Sequence, residues 1–173
     1  AGLAGCAGGT DTGGSVRLPS AWCGIVGLKT SEGLLPTDGI IPLSHTLDTP
    51  GPMARSVDDV SLMFEVMAGR HPIDTDRDLE LRQGLFGSRE AGIRGLRLGV
   101  LSEGEREGTD VEILALYDSA IDLLRSLGAE ISVFQMPMRF ADMQGATGSI
   151  IYSEGYYHHG EMFENENSQI DPY

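Results

Sequence analysis

The chain has 173 residues, 40% of them hydrophobic, which suffices for one domain with a sizeable core and excludes disorder as an overall description. Its net charge of -14 comes from 26 acidic against 12 basic residues, and Lys29 is its one lysine, so no basic patch exists to neutralise a phosphate backbone; nucleic acid is not expected as a partner. No stretch approaches about 18 consecutive apolar residues, and the opening AGLAGCAGG lacks the basic and apolar regions of a secretory signal, so neither a membrane span nor export is indicated.

Residues 1–55 are rich in Gly, Pro and Thr and poor in charge, as expected where backbone must approach backbone or ligand closely. From Ser56 the pattern turns helical. Ser56 with Asp59 resembles a capping box, Val57, Val60, Met63, Phe64 and Met67 recur at three- and four-residue spacing, and Gly69 offers a stop. Residues 70–94 are charged and punctuated and read as a surface connection, with the acidic run at 74–80 a solvated face. LRLGVL at 96–101 then reads as a strand. Thr109 and Glu112 suggest a second capping box, opening a helix through Leu127 with Val111, Leu114, Tyr117, Ile121 and Leu124 as its apolar stripe. Gly128 ends that helix and EISVFQM supplies a second strand, so residues 96–136 predict a βαβ unit with parallel strands, and the class is α/β. A further helix is expected from Ala146, although Gly148, Gly155 and Gly160 weaken it. The chain opens without methionine and closes in polar sequence, which leads us to expect a segment of a longer polypeptide.

The chemistry-bearing stretch is GGTDTGGSVR at 8–17. A phosphate loop needs a lysine before the hydroxyl residue, and none precedes Ser15. The glycines do not stand at G-x-G-x-x-G spacing. Ser15 is followed by Val16 and Arg17, which rules out the G-x-S-x-G elbow. What remains is a loop in which Thr12, Gly13 and Gly14 lead into a serine, with backbone amides able to turn toward one point, as a developing oxyanion requires. These residues alone leave a catalytic loop and a tight structural turn both open.

GGTDTGGSVRLPSAWCGIVGLKTSEG closely resembles the signature segment of the amidase signature family, a Gly-Thr/Ser-Asp-x-Gly-Gly-Ser-Ile/Val-Arg core followed by Pro, an aromatic, Cys-Gly and Gly-Leu-Lys. DGIIPLSHTLDTPGPMARSVDDV is similar to that family's next segment. The resemblance is strong over residues 8–59 and weaker through the βαβ unit. It implies part of a mixed-sheet α/β/α fold and hydrolysis of carboxamide C–N bonds by a Ser-Ser-Lys triad, with no metal or other cofactor. Ser15 matches the nucleophile, and the N–H groups of Thr12, Gly13, Gly14 and Ser15 match the oxyanion hole. Asp11 and Arg17 match positions expected to brace the loop by charge-assisted hydrogen bonds. The family's bridging serine lies shortly upstream of the nucleophile and its base lysine further upstream, and neither position is among these residues. The chain therefore reads as the central fragment of one amidase domain, expected to be inactive alone because an unassisted serine hydroxyl is a weak nucleophile.

Lys29 matches the lysine of the Gly-Leu-Lys segment, not the base. His45 and Asp48 could complete a Ser-His-Asp triad with Ser15, but their matched segment favours structural hydrogen bonding. His158, His159 and Glu161 invite a metal, yet adjacent histidines on a helix diverge by about 100°, and no metal site is expected. Cys6 and Cys23 lack zinc-ligand spacing and read as reduced, buried thiols, which fits a cytoplasmic setting. Trp22, Tyr152, Tyr156 and Tyr157 suit either an aromatic pocket or core packing. The family's transfer-RNA amidotransferase branch usually has Gln after the arginine and a Ser-Arg-Tyr-Gly segment, where this chain has Leu18 and LPTDG at 35–39. The expected activity is thus that of a free-standing amidase. The alternatives are a non-catalytic scaffold and the amidotransferase subunit. The expected partners are a small-molecule amide, the remainder of the parent chain and, in a homodimer, a second copy.

Overall fold

The computed structural model describes residues 2–69 and 91–165. The chain divides into two compact units, Ala1–Leu79 with Ala146–Tyr173, and Glu80–Gly145. The surface connection expected over residues 70–94 lies outside the described residues except for its last four positions, and the acidic run at 74–80 lies wholly outside them.

In the first unit, β1 (Cys6–Asp11), β2 (Val26–Gly27) and β3 (Thr49–Ala54) form an antiparallel sheet in the order β1-β3-β2. Cys6 pairs with Ala54 and Asp11 with Thr49, which brings the end of β1 beside the start of β3. Pro50 and Pro52 are tolerated in the middle strand because their ladder edges face away from β1. The Pro52 carbonyl accepts from the Leu28 N–H at 3.0 Å and the Pro50 carbonyl from Thr30 Oγ1 at 3.4 Å, so the missing proline N–H groups fall on the side where β2 pairs with only Met53 and Ala54.

Between β1 and β2 runs α1 (Arg17–Cys23), closed by Gly24 in the left-handed conformation. After β3 comes α2 (Val57–Ala68), with Ser56 as its cap: its hydroxyl accepts from the Asp59 N–H at 3.1 Å and donates to the Asp59 carboxylate at 2.7 Å. Val60, Phe64 and Ala68 form the buried stripe of α2, while Val57, expected in that stripe, is exposed in the first turn. Leu35, Phe64 and Ala68 make the core of this unit, with Leu28, Leu34 and Met67 packed around them.

In the second unit, β4 (Arg97–Leu101) and β5 (Glu130–Phe134) pair in parallel, from Arg97 opposite Glu130 to Leu101 opposite Phe134. The crossover is α3 (Val111–Ser126). Its cap is Asp110 rather than Thr109, since the Asp110 carboxylate receives the Glu112 N–H at 2.8 Å. Ile121 is buried, Leu114, Tyr117 and Leu124 are half-buried, and Val111 is exposed. The Tyr117 hydroxyl accepts the Leu101 N–H at 2.9 Å, tying α3 to the end of β4. Gly128, at φ 97°, ends the helix by donating to the Arg125 carbonyl at 3.0 Å, and Ala129 donates back to the Leu124 carbonyl at 3.1 Å.

The last helix, α4 (Phe140–Glu164), begins six residues earlier than the sequence suggested. The Phe140 N–H donates to Glu105 Oε2 at 3.1 Å, so a carboxylate 35 residues away satisfies an orphan donor of the first turn. Residues 146–164 of α4 belong to the first unit. No helix among the described residues is long and apolar enough to cross a membrane. The class is α/β, as expected, with an antiparallel sheet in one unit and a parallel pair in the other.

Candidate active site

The segment between β1 and α1 is organised by one carboxylate. Asp11 is fully buried at the last position of β1. Its Oδ1 accepts the Gly14 N–H at 2.7 Å, and its Oδ2 accepts the N–H groups of Val16 and Arg17, both at 3.2 Å. The Arg17 guanidinium closes the arrangement, with Nε 2.9 Å from Oδ2 and Nη2 2.9 Å from Oδ1. Burial pushes the Asp11 carboxyl up, but the hydrogen bonds from the Arg17 side chain and N–H, the Val16 N–H and the guanidinium charge outweigh it and hold the group at about 2. The same pair raises the Arg17 guanidinium.

This cluster makes the chain turn from strand to helix within five residues. Gly14 has φ 138°, a region that side chains rarely adopt, and a Cβ there would stand 2.8 Å from Leu18 Cδ1. Its carbonyl accepts the Leu18 N–H at 2.7 Å. Ser15, one residue on, is exposed, Gly13 is exposed and Thr12 half-buried. Thr12 Oγ1 donates to Asp48 Oδ1 at 2.5 Å, and Asp48 Oδ2 accepts the N–H groups of Leu43 at 2.7 Å and Ser44 at 3.0 Å. Asp48 therefore ties the Ser15 loop to the segment preceding β3.

Among the described residues, Lys29 and His45 are engaged with partners other than Ser15. Lys29 Nζ donates to the Thr30 carbonyl at 2.8 Å and approaches Thr49 Oγ1 at 3.5 Å. His45 is not joined to Asp48: its Nδ1 lies 3.3 Å from His158 Nε2 and its Nε2 lies 3.4 Å from Glu154 Oε1. The His159 Nε2 is 2.6 Å from the Pro42 carbonyl. Among the described residues, no group of three or more His, Cys, Asp or Glu side chains is arranged to hold a metal ion.

One sequence expectation is corrected here, and one choice left open is narrowed. Cys6 and Cys23 are free thiols, but both are exposed rather than buried. Trp22 is 89% exposed, and Tyr152, Tyr156 and Tyr157 are exposed as well, so core packing among the described residues does not account for these aromatics. Sequence reasoning also missed Glu154. Its carboxylate accepts from the hydroxyls of Ser44 and Thr46 and from the Thr46 N–H at 3.0 Å. The hydrogen bonds from Ser44 and then Thr46 hold the Glu154 carboxyl at about 2, against the opposing effect of burial, with the Thr46 N–H and His45 adding to them. No periodicity or local motif announces a contact that spans 110 residues.

The loop thus runs from a strand through a turn pinned by a buried carboxylate, past an exposed serine and into a short helix, on an α/β scaffold. The family model described as Amidase matches residues 1–169, and the chain belongs to that family, the amidase signature enzymes. A glutamyl-tRNA(Gln) amidotransferase subunit of Rhodospirillum rubrum is 42% identical over 137 residues, which are 78% of this chain and 27% of that protein. Among solved structures, the fold is similar to the native peptide amidase of Stenotrophomonas maltophilia, with TM-score 0.70 and 30% identity over 97% of this chain and 35% of that one. It is also similar to a bacterial aryl acylamidase of the amidase signature family, with TM-score 0.75 and 25% identity over 96% of this chain and 34% of the other. The chain thus spans about a quarter of the length of the curated relatives it matches.

Proposed function

We propose that the intact protein is an amidase that hydrolyses the C–N bond of a small carboxamide through a serine acyl-enzyme. The observation that carries this reading is the exposed Ser15 on a loop whose backbone is fixed by the buried Asp11 and by the Thr12 to Asp48 hydrogen bond. In this mechanism Ser15 Oγ attacks the amide carbonyl. Its proton passes to a second serine and from there to a neutral lysine, both supplied from outside these 173 residues. The developing oxyanion is received by backbone N–H groups at Thr12, Gly13 and Ser15. The Gly14 N–H, matched to the same role by resemblance, is engaged by Asp11 and supports the loop instead. One such donor is worth on the order of 3 kcal/mol of transition-state stabilisation. The tetrahedral intermediate collapses with protonation and departure of ammonia or an amine. Water then attacks the acyl-serine, releasing the acid and restoring the Ser15 hydroxyl. No metal or organic cofactor enters the scheme. Free thiols at Cys6 and Cys23 suit a reducing, cytoplasmic compartment.

Leu18 and the segment LPTDG at 35–39 favour a free-standing enzyme over the amidotransferase branch. A second reading, an amidotransferase subunit, is favoured by the 42% identity to a protein of that kind, and it brings partner subunits with it. Turnover separates them. In the intact protein, release of ammonia or amine from simple carboxamides without added partners is expected, and Ser15→Ala should lower kcat by at least about a thousandfold with the fold retained. Full turnover by Ser15→Ala would overturn the nucleophile assignment. Amide hydrolysis seen only in the presence of partner subunits would favour the second reading.

A further inference from the structure

The face of α4 that packs on residues 42–48 is joined to them by polar side-chain contacts. Glu154 binds the hydroxyls of Ser44 and Thr46 and the Thr46 N–H, and His45 Nε2 lies 3.4 Å from its Oε1. The next residue, Gly155, is buried, and a Cβ there would stand 3.3 Å from Leu43 Cδ1 and 3.5 Å from the Leu43 carbonyl oxygen. The helix therefore approaches that loop at backbone distance. One turn on, His158 meets His45 and His159 meets the Pro42 carbonyl. The segment so held is the one whose Leu43 and Ser44 N–H groups bind Asp48 Oδ2, while Asp48 Oδ1 receives the Thr12 hydroxyl. One turn back along α4, Ile151 Cδ1 stands 3.5 Å from where a Cβ of Gly13 would be.

We propose that Glu154 is a positioning residue for the Ser15 loop, acting through residues 43–48 and Asp48 on Thr12. The proposal rests on the reading of Ser15 as the nucleophile. The chemistry calls for a carboxylate: three donors, two hydroxyls and an N–H, converge on its two oxygens, and an amide offers only one acceptor oxygen to share among them. Fixing Ser44 and Thr46 fixes the loop that presents Asp48. Asp48 in turn fixes the torsion of Thr12, whose N–H and that of Gly13 face the reacting carbonyl in the proposed mechanism.

The test uses the intact protein and measures kcat, KM and melting temperature for Glu154→Ala, Glu154→Gln, Thr12→Val and the double variant Glu154→Ala with Thr12→Val. Misplacing a catalytic group by about 1 Å costs on the order of a hundredfold. Glu154→Ala is therefore expected to lower kcat about 10- to 100-fold with KM changed less than about threefold, and Glu154→Gln to recover part of the loss. The double variant should be no slower than the slower single variant, because both changes break one chain of contacts. If Glu154→Ala does not fold, Ser44→Ala combined with Thr46→Val removes the two hydroxyl bonds from the other side, leaves the Thr46 N–H bond, and is expected to lower kcat in the same direction. Unchanged kcat in either variant, with only the melting temperature lowered, overturns the proposal, as does a double variant whose losses multiply. Ser15→Ala, measured alongside, distinguishes the two levels: turnover surviving in Ser15→Ala defeats the nucleophile reading, whereas its loss together with unchanged kcat in Glu154→Ala defeats the positioning role alone.

Discussion

Asp11 is the residue on which the local conformation turns. It accepts three backbone N–H groups and two guanidinium N–H groups from a fully buried position. Removing it strands those donors, so Asp11→Ala should destabilise the protein by about 2–3 kcal/mol, read as a shift in the urea midpoint. The pH dependence has a definite sign. The folded state holds this carboxyl at about 2 against an ordinary 3.8, so it favours the ionised form. The stabilisation is complete above 3.8 and is lost as the pH falls through about 2. Asp11→Asn should therefore show a flatter loss of stability than the parent between those two values, and parallel curves would contradict the assignment. Ser15 and its neighbours could be picked out from the sequence because spacing excluded the phosphate and dinucleotide loops and the resemblance matched residues one by one. Glu154 could not, because its partners Ser44 and Thr46 lie more than a hundred positions away and only packing brings them together.

At the scale of elements, what could be read in advance follows from how local the determining physics is. The helix α2 was legible through Ser56, Asp59 and a three- to four-residue apolar spacing, all contained within one or two turns. Ser56→Ala should cost about 1 kcal/mol, measured by chemical denaturation, and an unchanged midpoint would show that the cap contributes nothing. The βαβ pattern of β4, α3 and β5 was legible for the same reason, with its cap shifted by one residue from Thr109 to Asp110. The sheet of the first unit was not. CAGGTD and TPGPMA carry the glycines and prolines that normally argue against strands, and they pair because the proline edges face away from the β1 ladder. The early start of α4 was equally hidden, since its first turn is capped by Glu105 from another part of the chain. Gly155, which weakened the helix reading locally, is a buried glycine where α4 meets Leu43 closely. The tertiary approach outweighs the propensity.

At the scale of the molecule, a family match over residues 1–169 stands beside a chain that spans about a quarter of its curated relatives. On the proposed reading, a bridging serine and a base lysine come from the remainder of a longer chain. The two alternatives, a non-catalytic scaffold and an amidotransferase subunit, differ from it in whether Ser15 reacts at all and in where the activity resides. The central claim is that Ser15 is an activated nucleophile, and covalent capture tests it most directly. The intact protein is treated with a fluorophosphonate, and the modified residue is located by peptide mass spectrometry while amide turnover is followed. The account predicts a single phosphonyl adduct on Ser15, formed at the same rate as turnover is lost. An unlabelled Ser15 with turnover intact, or an adduct on Ser15 that leaves turnover unchanged, would contradict it.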